Sequence, residues 1–271
     1  MSPGSRTSVL KAFPSLLRVG FAEMVAYRAE VVIWILTASA PLIMLAVFDR
    51  VADDGPVSGF ERGDFAAYFV AVLIVRQLTS AWVVWELNEK IRTGGLSPAL
   101  LKPLHPLAWY AASTVATVPF RLVVMIPLVG LLWLWRPEMR FGLSLAALPP
   151  LVLSLALAWV MNFAIQCSFG CLAFWMGQSI GIFGVWFGLW SLFSGYIIPI
   201  DLLPGGIADV AAYLPFRALL SAPVEIALGR TSGASALGTT LALQVFWAGV
   251  AVLIARAVWT RGIARYEAYG A

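Results

Sequence analysis

The sequence predicts an all-α integral membrane protein, and three observations carry that prediction. Hydrophobic residues make up 61% of the 271 positions and charged residues only 12%, whereas soluble domains hold about 45–50% and about 25%. The charge-free stretches are long: Phe141 to Ile200 contains 60 residues without Asp, Glu, Lys or Arg, and Thr231 to Ala255 contains 25 more. The charges that do occur are sorted between alternate loops. A soluble fold of this size cannot bury so much apolar surface, and a bilayer can.

A helix needs about 20 apolar residues to cross the roughly 30 Å hydrocarbon core. Val31 to Phe48 qualifies, as does Phe65 to Trp85, which carries only Arg76. Leu107 to Trp135 is apolar apart from Arg121. The 60-residue run must cross twice, with a turn at Trp175-Met176-Gly177-Gln178. Six spans follow, at about 31–48, 65–85, 109–135, 146–175, 179–198 and 236–258. The whole chain, 1–271, reads as a single transmembrane domain.

With six spans both termini share one side. Placing the N-terminus, the 86–106 loop and the C-terminus in the cytoplasm puts ten basic residues inside: Arg6, Lys11, Arg18, Arg28, Lys90, Arg92, Lys102, Arg256, Arg261 and Arg265. Six lie outside: Arg50, Arg62, Arg136, Arg140, Arg217 and Arg230. The positive-inside rule therefore favours both termini in the cytoplasm of a cell (inner or plasma) membrane protein. Asp49, Asp53, Asp54, Glu61 and Asp64 crowd one outer loop.

Thirty residues precede the first apolar core, too many for the n-region of a signal peptide. Leu10, Phe13, Leu17, Phe21 and Met24 recur at helical spacing, opposite Lys11, Ser15 and Arg18. The stretch 8–28 therefore predicts an amphipathic helix lying in the interface.

Several chemistries are excluded. None of the three lysines, Lys11, Lys90 and Lys102, follows a glycine, so the chain carries no P-loop of its own. His105 is the sole histidine, which rules out histidine-based metal motifs. Cys167 and Cys171 are the only cysteines and sit in an apolar run, where they read as small packing residues. The catalytic and metal sets are empty. Gly177-Gln178-Ser179-Ile180-Gly181 fits the G-x-S-x-G nucleophile pattern, but that elbow needs a strand-to-helix turn and a histidine after the serine.

The fifth span shows a regular small-residue pattern. Gly177, Gly181, Gly184, Gly188, Ser191 and Gly195 are spaced to form one helical stripe. In lipid, close backbone approach through small residues is what packs helices together. The stripe reads either as a contact within the chain or as a seam between subunits or along a pathway. Arg76 and Arg121 are cations inside spans, each costing on the order of 2.5–3.5 kcal/mol at mid-bilayer. With no mid-span carboxylate to pair with, they must snorkel, bond backbone carbonyls or line a polar path. Asn162, Gln166 and Gln178 read as polar bridges between helices.

Two connecting segments complete the pattern. In the inner loop Gly94-Gly95 stops a helix, Ser97 can cap a short new one with Pro98 at its first position, and Pro103 ends it. After the fifth span, prolines and paired glycines punctuate 199–230, which fits an outer re-entrant region between spans five and six.

Taken together these features resemble the ABC-2 type permeases, the six-span membrane subunits of type 2 ABC exporters. The resemblance rests on the amphipathic leader, the Gly94-Gly95-Leu96…Leu100-Leu101…Pro103 loop and Ser194-Gly195…Pro199…Leu203-Pro204. Leu214-Pro215-Phe216…Pro223…Gly229 extends it. It implies that the leader is the connecting helix. It also implies that Gly95, Leu96, Ser97, Pro98, Ala99, Leu100 and Leu101 form a coupling helix docked on a separate ABC ATPase subunit. ATP and Mg would be bound by that partner, not by this chain. A second permease chain, identical or homologous, would pair with it in the lipid, and the second and fifth spans would line the pathway. The competing classes are an ion-coupled secondary transporter, which usually needs a mid-membrane acid and two related halves, and an intramembrane hydrolase resting on Ser179 alone.

Overall fold

The computed structural model describes residues 40–177, 179–231 and 233–266. The expected leader, 8–28, lies outside the described residues, as do Gln178 and the first part of the expected first span. Among the described residues the chain is helical, with one isolated bridge between Val57 and Phe60.

Helix α1 (Ala40–Val51) leads into a loop, and α2 (Arg62–Thr79) then enters the molecule. Glu61 and Asp64 start α2 as a capping box, in which each side chain takes the other's backbone N–H. After the three residues Ser80, Ala81 and Trp82, α3 (Val83–Arg92) continues the same run. A four-residue helix, α4 (Ser97–Leu100), forms the elbow, and the chain returns through α5 (Pro106–Ala116) and α6 (Val118–Trp135). The third long passage is α7 (Leu148–Cys171), followed by α8 (Ile180–Phe193) after a turn. Three short helices, α9 (Gly205–Tyr213), α10 (Pro215–Leu219) and α11 (Ser221–Ala227), precede the 30-residue α12 (Ala234–Ile263).

Among the described residues four helical runs are long and apolar enough to cross a membrane: Arg62–Arg92, Pro106–Trp135, Leu145–Phe174 and Ala234–Ile263. The protein is a multi-pass membrane protein. The run Arg62–Arg92 is the centre of the bundle. Of its most apolar stretch 61% is buried, against 22%, 28% and 22% for the other three, whose remaining faces are left for lipid. Phe65, Phe69, Val70, Val72 and Leu73 on α2 are wholly enclosed. Helices α7 and α12 meet through Ala164, Ala251 and Ala255, small side chains that let two backbones approach. The buried Gln244 amide of α12 donates to the Ala218 carbonyl at 2.8 Å, tying α10 to that seam.

The structure corrects three of the expected spans. The second is not continuous over 65–85: it breaks at Ser80-Ala81-Trp82 and runs on to Arg92. The third starts at Pro106 rather than 109 and is interrupted at Thr117, because Pro119 has no N–H to donate back. The fifth helix ends at Phe193, not 198. It has 14 residues and so spans about 21 Å at 1.5 Å per residue. The chain then turns at Gly195, where φ is +84°. A side chain there would collide with the Ser221 and Tyr68 hydroxyls. Those hydroxyls lock the corner, Tyr68 donating to the Gly195 carbonyl at 2.8 Å and Ser221 to the Ser194 carbonyl at 2.7 Å.

Charges gather at the two ends. At one end the Asp49 carboxylate is gripped by two guanidinium groups. Arg62 donates to it at 2.5 and 2.7 Å and Arg136 at 2.9 and 3.1 Å. Arg62 also reaches Asp53, Arg136 reaches Glu138, and Arg230 reaches Asp64. The acidic loop seen in the sequence is thus a clasp that joins α1, α2, the end of α6 and the approach to α12. Hydrogen bonds from Arg62, then Arg136, hold the Asp49 carboxyl well below the usual carboxylate range. Its stabilisation is therefore complete above the ordinary Asp value of 3.8, and is lost only as pH falls below that value. Asp49→Asn is expected to cost about 1 kcal/mol, allowing for solvent screening. Thermal unfolding in detergent should show the mutant deficit at neutral pH and its disappearance in strong acid.

Candidate functional site

Three features together form the site: a break in the second span, a cleft beside it, and the elbow beyond it. The break lies at membrane depth, where every backbone polar group needs an internal partner. Helix α2 stops when the Ser80 N–H bonds the Arg76 carbonyl at 2.9 Å, leaving carbonyls at its end unsatisfied. Arg121 of α6, only 8% exposed, fills that need. Its Nη1 donates to the Gln77 carbonyl at 3.1 Å, the Ser80 carbonyl at 2.9 Å and the Ser80 hydroxyl at 2.6 Å. A cation at a helix C-terminus is also favoured by the helix dipole.

Gln166 of α7 serves the other side of the break. Its Oε1 accepts from the Val83 N–H at 3.0 Å, and its Nε2 donates to the Ala81 carbonyl. One amide thus caps the start of α3 and satisfies the bridging peptide. Further along α3, the buried Asn88 donates to the Ser179 hydroxyl at 2.6 Å, fastening α3 to the start of α8.

The cleft opens between α2 and α3 on one side and α8 on the other, with α7 behind. Arg76, Asn162 and Gln166 all line it, with Trp82, Trp186 and Phe187. Arg76 sits over three rings, at 4.6 Å from the Tyr196 centroid, 5.0 Å from Trp190 and 5.7 Å from Phe187. All three lie within the roughly 6 Å reach of a cation–π contact. No Asp or Glu lines the cleft.

The elbow begins where Gly94, at φ +76°, ends α3. Leu96 then turns fully inward against Leu87, Ile91, Tyr110 and Trp259, while Leu101 is 88% exposed at the tip. Ser97 is the first helical residue rather than the cap expected from the sequence. Its hydroxyl instead meets the Tyr266 hydroxyl at 3.1 Å, joining the elbow to the chain after α12. His105 caps α5 by accepting the Leu107 N–H at 3.2 Å and stacks against Trp259. Burial lowers its pKa, which favours the neutral form. Beneath the elbow, Gly262 lets α12 sit directly on the Phe174 ring, and Gly170 sits under Leu87.

The profile of the ABC-2 family transporter proteins matches residues 34–270. The chain belongs to that family. A comparison with curated proteins finds no match. This ABC-2 transporter protein is therefore a membrane component of an ABC transporter, a translocation subunit and not itself a catalyst, of a family that works with ABC ATPase subunits.

In the transporter the small-residue stripe is shorter than the spacing predicts. Gly177 precedes α8 and Gly195 follows it, so the helix itself carries Gly181, Gly184, Gly188 and Ser191. A methyl group on any of those three glycines would meet nothing within 4 Å. Among the described residues nothing packs against those glycines. The opposite side of α8 packs through rings, with Phe183 and Trp190 buried. Ser179 is enclosed and bonded to Asn88, far from the His105 cap, so the hydrolase pattern has neither its fold nor its base. Cys167 and Cys171 are free, buried and packed under the elbow.

Sequence reasoning found Arg76, Arg121, Asn162 and Gln166 but not the break that organises them. The signal was weak: Thr79-Ser80 is one of two polar pairs in that stretch of span, after Arg76-Gln77, and neither glycine nor proline marks it. Asn88 and Gln244, each a lone buried amide, were also missed. Gln166→Leu would strand the Val83 N–H and the Ala81 carbonyl, at an expected cost of about 2 kcal/mol. A lower unfolding temperature with faster hydrogen exchange at Val83 would be the result.

Proposed function

We propose that this chain is the permease subunit of an ATP-driven ABC exporter. Two copies, or this chain and a homologue, form the translocation pathway. ATP, with Mg, is hydrolysed on a separate ATPase subunit. The observation that carries this reading is the elbow. It offers an exposed leucine, Leu101, on a short rigid helix whose base, Leu96, is anchored in the core. A lever needs that combination: a grip for the partner outside, and a fixed connection to the spans inside. The connection continues through α3 to Gln166 and the break.

The topology in this reading has six spans. The described part of the first is α1, and α8 with the irregular 194–198 segment is the fifth. The leader 8–28 lies in the cytoplasmic interface as the connecting helix. The elbow residues Gly95 to Leu101 dock on the ATPase. The segment 199–230, with its three short helices, forms the outer re-entrant region. Both termini lie in the cytoplasm, in accord with the basic residues at the elbow end. The bare glycine face of α8 suits a seam with the second permease.

Copurification tests the class: an ABC ATPase in equal number with permease chains is the expected outcome, and transport by the purified chain alone would refute the reading. Replacing Ser97–Leu101 with a Gly-Ser stretch of equal length should leave ATP hydrolysis running without transport. The point variant Leu101→Asp should weaken ATPase binding about tenfold or more, the effect of losing an interface anchor. Gly184→Leu should shift the permease pair toward single chains in native mass measurements while leaving the fold intact, since the position faces open space.

A further inference from the structure

We propose that the cleft beside the broken span binds the anionic head of an amphiphile at Arg76, with the apolar body lying outside against the exposed aromatic rings of the cleft wall. This rests on the permease reading, and it supplies the substrate class that the reading leaves open.

The argument starts from what the two intramembrane arginines do. Arg121 places its Nη1 on two carbonyls and a hydroxyl at the break, and its place is structural. Arg76 is different. Its guanidinium carbon stands over Tyr196, Trp190 and Phe187. The rings attract the cation through their π faces but offer no oxygen acceptor for its five N–H donors. Among the described residues no carboxylate pairs with Arg76 and no carbonyl or hydroxyl accepts from it. The cleft supplies no acid, and Arg121 adds repulsion from a second positive charge. A cation in a low-dielectric setting with free donors is a costly arrangement unless an anion completes it.

The size of the cleft then sets the ligand. Its volume is about 50 Å3, well below the roughly 300–1,000 Å3 of a site that encloses a whole drug-sized molecule. A carboxylate or phosphate group fits; a larger body must remain outside. Trp82, Trp85, Trp186 and Phe187 line the cleft, and of these Trp85 and Phe187 stay exposed. An acyl or aromatic body would lie there at little desolvation cost. The Asn162 amide, at the cleft wall on α7, offers one further donor for the head group. A free inorganic anion would leave the aromatic wall unused, and a neutral amphiphile would leave Arg76 uncompensated.

Binding can be read from the tryptophans of the cleft wall, using the full chain with its copurifying partner, in uncharged maltoside detergent without nucleotide. The probe is dibromostearate, ionised at mildly alkaline pH, with dibromostearyl alcohol as its neutral match and dibrominated phosphatidylglycerol as the bilayer-lipid form of the same chemistry. Dibromostearate should quench saturably, with affinity about tenfold weaker in Arg76→Gln and partly restored in Arg76→Lys. Arg140→Gln, at an exposed arginine far from the cleft, should match the unaltered chain. Saturable quenching by phosphatidylglycerol that stearate displaces assigns the site to free amphiphiles. If stearate cannot displace it, the site belongs to a bilayer lipid head; in both cases the Arg76 site stands. Equal affinity in Arg76→Gln overturns it. If that variant does not fold, competition in the unaltered chain decides: stearyl alcohol displacing the probe as well as stearate does would equally overturn the proposal. No step requires ATP, so failure here leaves the elbow's docking untouched, and failure of docking leaves this binding measurable.

Discussion

A peptide chain cannot leave the helical state inside a bilayer unless something else takes over its hydrogen bonds, and much of this structure is arranged around one place where it does. The second span breaks at Ser80–Trp82 without proline or glycine. Arg121 collects the carbonyls on one side, and Gln166 takes the N–H and carbonyl groups on the other. These two side chains come from the third and fourth spans, so the break also joins three spans at their midpoints. The intramembrane arginine and glutamine that look expensive in the sequence are the groups that make irregular backbone tolerable at that depth.

The same requirement explains how the two intramembrane arginines divide their work. Arg121 takes backbone carbonyls at the break through its Nη1, while Arg76 is held by ring faces and lines the cleft. Two cations of one type, on different helices beside one break, thus reach different ends: one repairs the fold and the other polarises a cavity wall. Aromatic residues make the second arrangement possible, because they attract a cation without neutralising it.

The helical class, the apolar passages and the turn after Phe174 were legible because they depend on composition and length alone. The position of the break was not, because Thr79-Ser80 is an ordinary pair in sequence and becomes a breakpoint only when Arg121 and Gln166 arrive from elsewhere. Helix ends were misjudged where a left-handed glycine decides them: apolarity continues past Phe193, but the corner at Gly195 is fixed by Tyr68 and Ser221. The glycine repeat of α8 was visible, yet its direction was not, since spacing shows a stripe without showing what the stripe faces. Ser97 illustrates a finer limit. Its type suited a cap, and a distant tyrosine claimed its hydroxyl.

The fastening of α8 has a consequence for assembly. Hydrogen bonds hold its tips, Ser179 to Asn88 at one and the Gly195 corner at the other, and rings grip one flank. Among the described residues nothing packs against the remaining flank. Acyl chains wet such a strip about as well as another helix would. If two subunits pair there as proposed, pairing adds contacts without first dismantling any of these, and the two halves of the machine can be made separately and joined late.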